Sequence, residues 1–113
     1  MKTAAPVRLC LALLSLAVTI AHADTKANEA SKTHIVTMEN MKFEPQSLTV
    51  RRGDRVVWVN KDLFPHTATA NSHQFDSGNI APQASWTYLA SQDGTFEYSC
   101  VFHPTMKATL IVR

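Results

Sequence analysis

The sequence predicts an all-β sandwich of seven or eight short strands. Three observations carry that expectation. Apolar residues recur at period two in run after run, helical spacing is sustained nowhere, and turn-forming residues punctuate the runs. At 113 residues, with 45% hydrophobic and 18% charged residues, the chain suits one ordinary globular domain rather than a disordered or fibrous one. It is too short for two domains with separate cores.

The N-terminus is set apart. Lys2 and Arg8 precede an apolar run at 9–20, and Ala21-His22-Ala23 is a small-x-small site. This is the pattern of a secretory signal peptide spanning 1–23 and cleaved after Ala23, with the periplasm as destination. The apolar run falls short of the roughly 18 residues of a spanning helix, so no stable membrane insertion of the mature chain is expected. Cleavage removes Lys2 and Arg8 and brings the 11 basic residues level with the 9 acidic ones. Nothing then supports nucleic-acid binding, which needs a basic patch. Cleavage also removes Cys10 and leaves Cys100 alone. A lone thiol in an oxidising compartment is a liability unless something occupies it. Residues 24–33 are polar and lack large apolar side chains, so a flexible leader is expected there. The folded domain is expected over 34–113.

The strands follow in order. Residues 34–38 are β-branched and apolar. Residues 47–51 alternate, with Leu48 and Val50 on one face. Residues 55–60 are rich in Val and hold Trp58. Residues 67–70 form a short run. Residues 85–90 place Trp86 and Tyr88 together, residues 95–100 align Phe96, Tyr98 and Cys100, and residues 108–112 close the chain. Glu44-Pro45, Arg52-Gly53-Asp54, Ser77-Gly78-Asn79, Ala81-Pro82 and Asp93-Gly94 mark turns between them. This spacing suggests an antiparallel sandwich with a long irregular loop over 71–84. Trp58, Trp86, Phe43, Phe75, Phe96 and Tyr98 are the expected bulky core, with Met38 beside them. Met41 is expected to pack, and His34 and His73 to lie at the surface.

The chemistry gathers in Cys100-Val101-Phe102-His103-Pro104-Thr105-Met106. A thiolate, an imidazole and a thioether recur at three-residue steps in what reads as a loop. Pro104 fixes φ and helps the backbone turn. His66, in Pro65-His66-Thr67, offers a fourth donor. Two imidazoles, one thiolate and a weak axial thioether make a trigonal copper site suited to electron transfer. Zinc is the chemical competitor, although structural zinc sites draw on more Cys and His and no Met.

These residues resemble those of the cupredoxins, the type 1 blue copper proteins, in their amicyanin/plastocyanin-like branch. The resemblance covers essentially all of 34–113. It runs through Met41-Lys42-Phe43-Glu44-Pro45, Gly53-Asp54, Val56-Val57-Trp58-Val59-Asn60, Pro65-His66-Thr67, Phe75-Asp76-Ser77-Gly78, Gly94-Thr95-Phe96 and the short Cys-x-x-His-Pro-x-Met loop. It implies a Greek-key sandwich holding one type 1 copper ion on His66, Cys100, His103 and Met106. It also implies that Asn60 braces the ligand loops by hydrogen bonds. The loop histidine, His103, would pass the electron to redox partner proteins: a dehydrogenase, a cytochrome or an oxidase. Phe64, Pro65, Phe102, Pro104 and Thr105 would form an apolar docking patch around it.

Three functional classes compete. A soluble, monomeric one-electron carrier with no substrate chemistry of its own is favoured. Copper delivery or storage is the alternative. It wants clustered, exchangeable ligands, whereas Met38, Met41 and Met106 are scattered. A catalytic copper enzyme wants further His pairs or a bridging Cys, and the chain has no such set. One residue departs from the amicyanin pattern: Phe102 stands where amicyanins often have proline. A non-proline keeps an N–H that can donate toward the Cys100 sulfur, and such bonds tune the potential. Voltammetry should therefore find a higher reduction potential in the wild type than in Phe102→Pro.

Overall fold

The computed structural model describes residues 2–6, 15–20 and 30–113. The expected cleavage site after Ala23, Cys10, and the leader up to residue 29 lie outside the described residues. Among the described residues no helix is long and apolar enough to cross a membrane.

The runs of alternating residues become eight strands: β1 (Thr33–Glu39), β2 (Lys42–Glu44), β3 (Ser47–Val50), β4 (Arg55–Asn60), β5 (Thr69–Ala70), β6 (Ser85–Leu89), β7 (Gly94–Cys100) and β8 (His103–Val112). They form two four-stranded sheets, in the orders β2-β1-β4-β6 and β3-β8-β7-β5. One correction concerns direction. The sandwich is mixed rather than antiparallel: β1 runs parallel to β4 from Thr33↔Arg55 to Met38↔Asn60, and β3 runs parallel to β8. The chain leaves β1 through the β2 hairpin, crosses to the other sheet as β3, and returns beside β1 in the same sense. Alternation along one strand is the same whichever way its neighbour runs, so local pattern carries no sign of direction.

Other corrections are local. β2 was not foreseen as a strand, because it is three residues long with only Phe43 buried. β5 is shorter than the run at 67–70. β8 begins at His103, five residues before the expected start at 108. The stretch read as a loop is therefore a two-residue turn, Val101-Phe102, closing a hairpin. The segment over 71–84 is irregular as expected, tied by isolated bridges at His66↔Ile80 and Thr69↔Asp76.

Alternation builds the core. Val56 and Trp58 on β4 and Val36 and Met38 on β1, side by side in one sheet, pack with Ala108, Leu110 and Val112 on β8 of the other in one buried cluster. Trp58 is fully buried and lies about equally close to Phe75, Tyr98 and Trp86, at 5.5, 5.5 and 5.6 Å between ring centroids. Phe43, Phe75 and Tyr98 are buried with it, while Trp86 and Phe96 pack half-buried against the cluster. Met41 departs from expectation. It sits exposed in the β1–β2 turn, where Asn40 and Met41 take φ of 54° and 61°. Positive φ at both central residues suits a tight hairpin whose twist matches its strands.

His34 also departs from expectation, being half-buried at the end of the sandwich marked by the β3–β4 turn. Its Nε2 lies 2.9 Å from Asp54 Oδ2, and Asp54 further accepts the N–H groups of Lys32 at 2.8 Å and Arg51 at 3.0 Å. The Lys32 N–H, the His34 ring and the Arg51 N–H together hold the Asp54 carboxyl down to about 2 from an ordinary 3.8. A depressed folded pKa gives stability that is full above the unfolded value and fades as pH falls through the folded one. Urea midpoints should therefore drop between about pH 4 and about pH 2. The drop should be shallower in Asp54→Asn than in the wild type.

Candidate metal centre

Asn60 ends β4 completely buried, and its carboxamide organises the connection that follows. Its Nδ2 donates to the carbonyls of Phe64 (2.7 Å) and Ile80 (2.9 Å), and its Oδ1 accepts the Asp62 N–H (2.9 Å). The turn over 61–65 is thereby closed on itself and pinned to the irregular segment. His66 follows, its N–H and C=O both bonded to Ile80, at 3.1 and 2.8 Å. The backbone of His66 is thus held on the far side too, and its ring is fully buried.

The ring's orientation follows from its partners. Its Nε2 lies 2.7 Å from Asp62 Oδ2. An ionised carboxylate only accepts, so Nε2 donates to it, and in the neutral ring the lone pair lies on Nδ1. That Nδ1 faces the Cys100 sulfur at 3.6 Å. Partial burial works to raise the Asp62 pKa, but the Met41 N–H, the His66 ring and the Asn40 N–H outweigh it and hold the carboxyl below its usual range.

Cys100 ends β7 with its side chain fully buried. The Thr67 N–H donates to its sulfur at 3.4 Å. Thr67 Oγ1 accepts the Val101 N–H at 3.0 Å and lies 2.9 Å from Thr69 Oγ1. Thr67 therefore clamps the β7–β8 hairpin to the chain carrying His66. A register shift between Ser99 and Cys100 lets Cys100 pair with His103 across the two-residue turn. The His103 ring is half-buried and lies 5.4 Å from the His66 ring, edge to face at 68°. Met106 is buried on the same face of β8 as Ala108 and Leu110, in the cluster that contains Cys100.

The structure thus sets His66 against Cys100, brings the His103 ring to the His66 ring, and buries Met106 in the same cluster. Among the described residues no three His, Cys, Asp or Glu side chains form a closed metal cluster. Two donors each about 2.0–2.3 Å from one ion can share it at the His66–Cys100 separation. A thiol, two imidazoles and a thioether are soft-to-borderline donors that suit copper. Asp62, the nearest carboxylate, is turned to the other ring nitrogen. His73 is exposed, as expected. Sequence reasoning missed Asp62, Thr67 and Ile80, which act through backbone groups or through another side chain.

The sequence of residues 11–112 matches the Cupredoxin-like domain. The chain belongs to the cupredoxin family. Amicyanin of Paracoccus denitrificans is 30% identical over 97 residues, covering 77% of this chain and 70% of that protein. Plastocyanin of Scenedesmus fuscus is 32% identical over 84 residues, 63% of this chain and 86% of that protein. A Cu(I) amicyanin with a methionine-to-alanine substitution shares the fold at TM-score 0.68 and 26% identity, over 74% of this chain and 85% of that one. Type 1 copper is the cofactor of this family, and the donors of this cupredoxin fit it.

Asn60 gives the site its sharpest structural test. Truncation to alanine would strip the Phe64 carbonyl and the Asp62 N–H of this partner and leave the Ile80 carbonyl with the His66 N–H alone. A lost hydrogen bond costs about 0.5–1.5 kcal/mol, and more where a group is left buried and unpaired. Asn60→Ala should lower the metal-free protein's denaturation free energy by about 1–3 kcal/mol, read as a shift in urea midpoint.

Proposed function

We propose that this cupredoxin is an exported one-electron carrier whose copper is held by His66, Cys100, His103 and Met106. The observation that carries the reading is the buried His66 Nδ1–Cys100 Sγ pair at 3.6 Å, aimed together by partners on both sides. Bound type 1 copper supplies one-electron storage as Cu(II)/Cu(I).

The chain's residues supply the rest. Cys100, His66 and Met106 exclude water by burial. Asn60 and Thr67 fix the backbone on which the donors stand, so little has to move when the charge changes. His103 is half-buried and follows directly on an exposed turn. Leu63, Phe64, Val101 and Phe102 are exposed large apolar side chains in the two turns flanking His66 and His103. Pro65, Pro104 and Thr105 are exposed with them. Apolar exposure in both turns beside His66 and His103 suits a docking surface, and small interfaces suit brief redox encounters. A dehydrogenase, cytochrome or oxidase would dock here, over His103. The periplasm is the compartment of this reading, and a monomer its working form.

The test is a visible spectrum of the full chain after Cu(II) addition, wild type beside Cys100→Ser. An intense blue thiolate-to-copper band in the wild type, lost in the mutant, with reversible one-electron voltammetry, is expected. A colourless wild type would overturn the ligand assignment. A blue protein that surrenders its copper quickly to a chelator would favour delivery or storage instead.

A further inference from the structure

We propose that Asp62 is a positioning residue for the metal centre: its carboxylate fixes the His66 tautomer and holds the reduction potential below the value a neutral partner would give. The potential half of this rests on the ligand assignment above. The tautomer half does not.

The geometry is specific. Asp62 Oδ2 takes the His66 Nε2–H at 2.7 Å and the Met41 N–H at 3.0 Å, while Oδ1 takes the Asn40 N–H at 2.7 Å. The Asp62 N–H is itself held by Asn60 Oδ1. The carboxylate therefore has three donors on it and a fixed backbone beneath it. The His66 side chain is fully buried and the Asp62 side chain is 13% exposed, so solvent screens the contact little. Asn40 and Met41 form the β1–β2 turn, so the same carboxylate that aims the ring also anchors a hairpin of the neighbouring strands.

Two consequences follow from the chemistry. The first concerns the tautomer: a carboxylate acceptor on Nε2 selects the neutral ring with the proton on Nε2 and the lone pair on Nδ1, before any ion arrives. The second concerns charge. Carboxylate–histidine pairing raises the basicity of the ring as a ligand, and the negative charge favours the more highly charged state of an ion at Nδ1. Cu(II) is then favoured over Cu(I), which is a lower potential. An asparagine offers one acceptor oxygen and no charge to the three N–H groups, so it cannot reproduce either effect in full.

The experiment has two arms. In the first, ¹⁵N NMR of the metal-free full-length wild type reads the His66 ring. A protonated Nε2 and bare Nδ1 are expected, and a protonated Nδ1 would overturn the tautomer assignment. This arm needs neither copper nor a variant. In the second, Asp62→Asn and Asp62→Glu are loaded with Cu(II), and affinity and potential are measured at neutral pH. Asp62→Asn should bind Cu(II) about 10–100-fold more weakly and show a raised potential. Asp62→Glu, which keeps the charge, should return both toward wild type, including where Asp62→Asn fails to fold. A blue wild type with Asp62→Asn unchanged in both quantities would overturn the role. So would a folded Asp62→Glu whose potential rises as far as that of Asp62→Asn. A wild type that takes up Cu(II) without a blue band would overturn the ligand assignment, and with it the potential half, while the NMR arm still decides the tautomer.

Discussion

The site hangs on one buried carboxamide. Asn60 is the last residue of β4 and the point at which the regular sheet hands over to irregular chain. Its three side-chain hydrogen bonds reach forward to Asp62 and Phe64 and across to Ile80. Ile80 in turn pairs with the backbone of His66. A polar group of this size is costly to bury unless its donors and acceptors are matched, and here both kinds are. The match makes the connection over 61–66 a defined shape rather than a tether. The placement of His66 in the candidate centre rests on that shape.

The other half of the site comes from sheet geometry. Cys100 and His103 face each other across a two-residue turn, at the point where the β7–β8 ladder shifts register. Such irregularities re-aim side chains next to functional sites. Met106 then lies three residues on, along a strand whose alternate positions already face the core. The antiparallel β4–β6 pair and the parallel β3–β8 pair tie the first half of the domain to the second, one in each sheet. The two halves that supply donors are therefore parts of one packed body, joined again locally by the Thr67 contacts to Cys100 and Val101.

What the sequence made legible was whatever repeats locally. Strands β1, β3, β4, β6 and β7 were visible because period two persists over several residues in each, and Trp58 and Tyr98 were visible as core because they sit in phase with it. Parallel pairing was invisible, since it concerns which distant strand lies alongside. The early start of β8 was hidden because Pro104 and the donor spacing read as a loop, while the backbone pairs straight from His103. The family pattern gave the candidate ligands His66, Cys100, His103 and Met106 their places. Asp62 carried no such signal: an aspartate in a turn is ordinary, and only the fold shows its carboxylate meeting the His66 ring. Thr67 was hidden more deeply, because its contribution to the sulfur is a main-chain N–H that any residue but proline would supply.

The polar contacts around His66 and Cys100 act in opposite senses on the same centre. The Thr67 N–H, 3.4 Å from the sulfur, donates to it and would draw density away from a Cys100 thiolate on a bound ion. The Asp62 carboxylate, on the far nitrogen of His66, pushes density toward Nδ1. Because Cys100 and His66 are both fully buried, neither effect is diluted by water, and each counts for more than it would at the surface. Burial of the donors and exposure of the apolar turns are then two sides of one arrangement. The hairpin that buries Cys100 brings the chain out at Val101 and Phe102, one residue before His103. Buried Cys100 and half-buried His103 are three residues apart, so the proposed centre would lie close beneath the exposed turn of Val101 and Phe102.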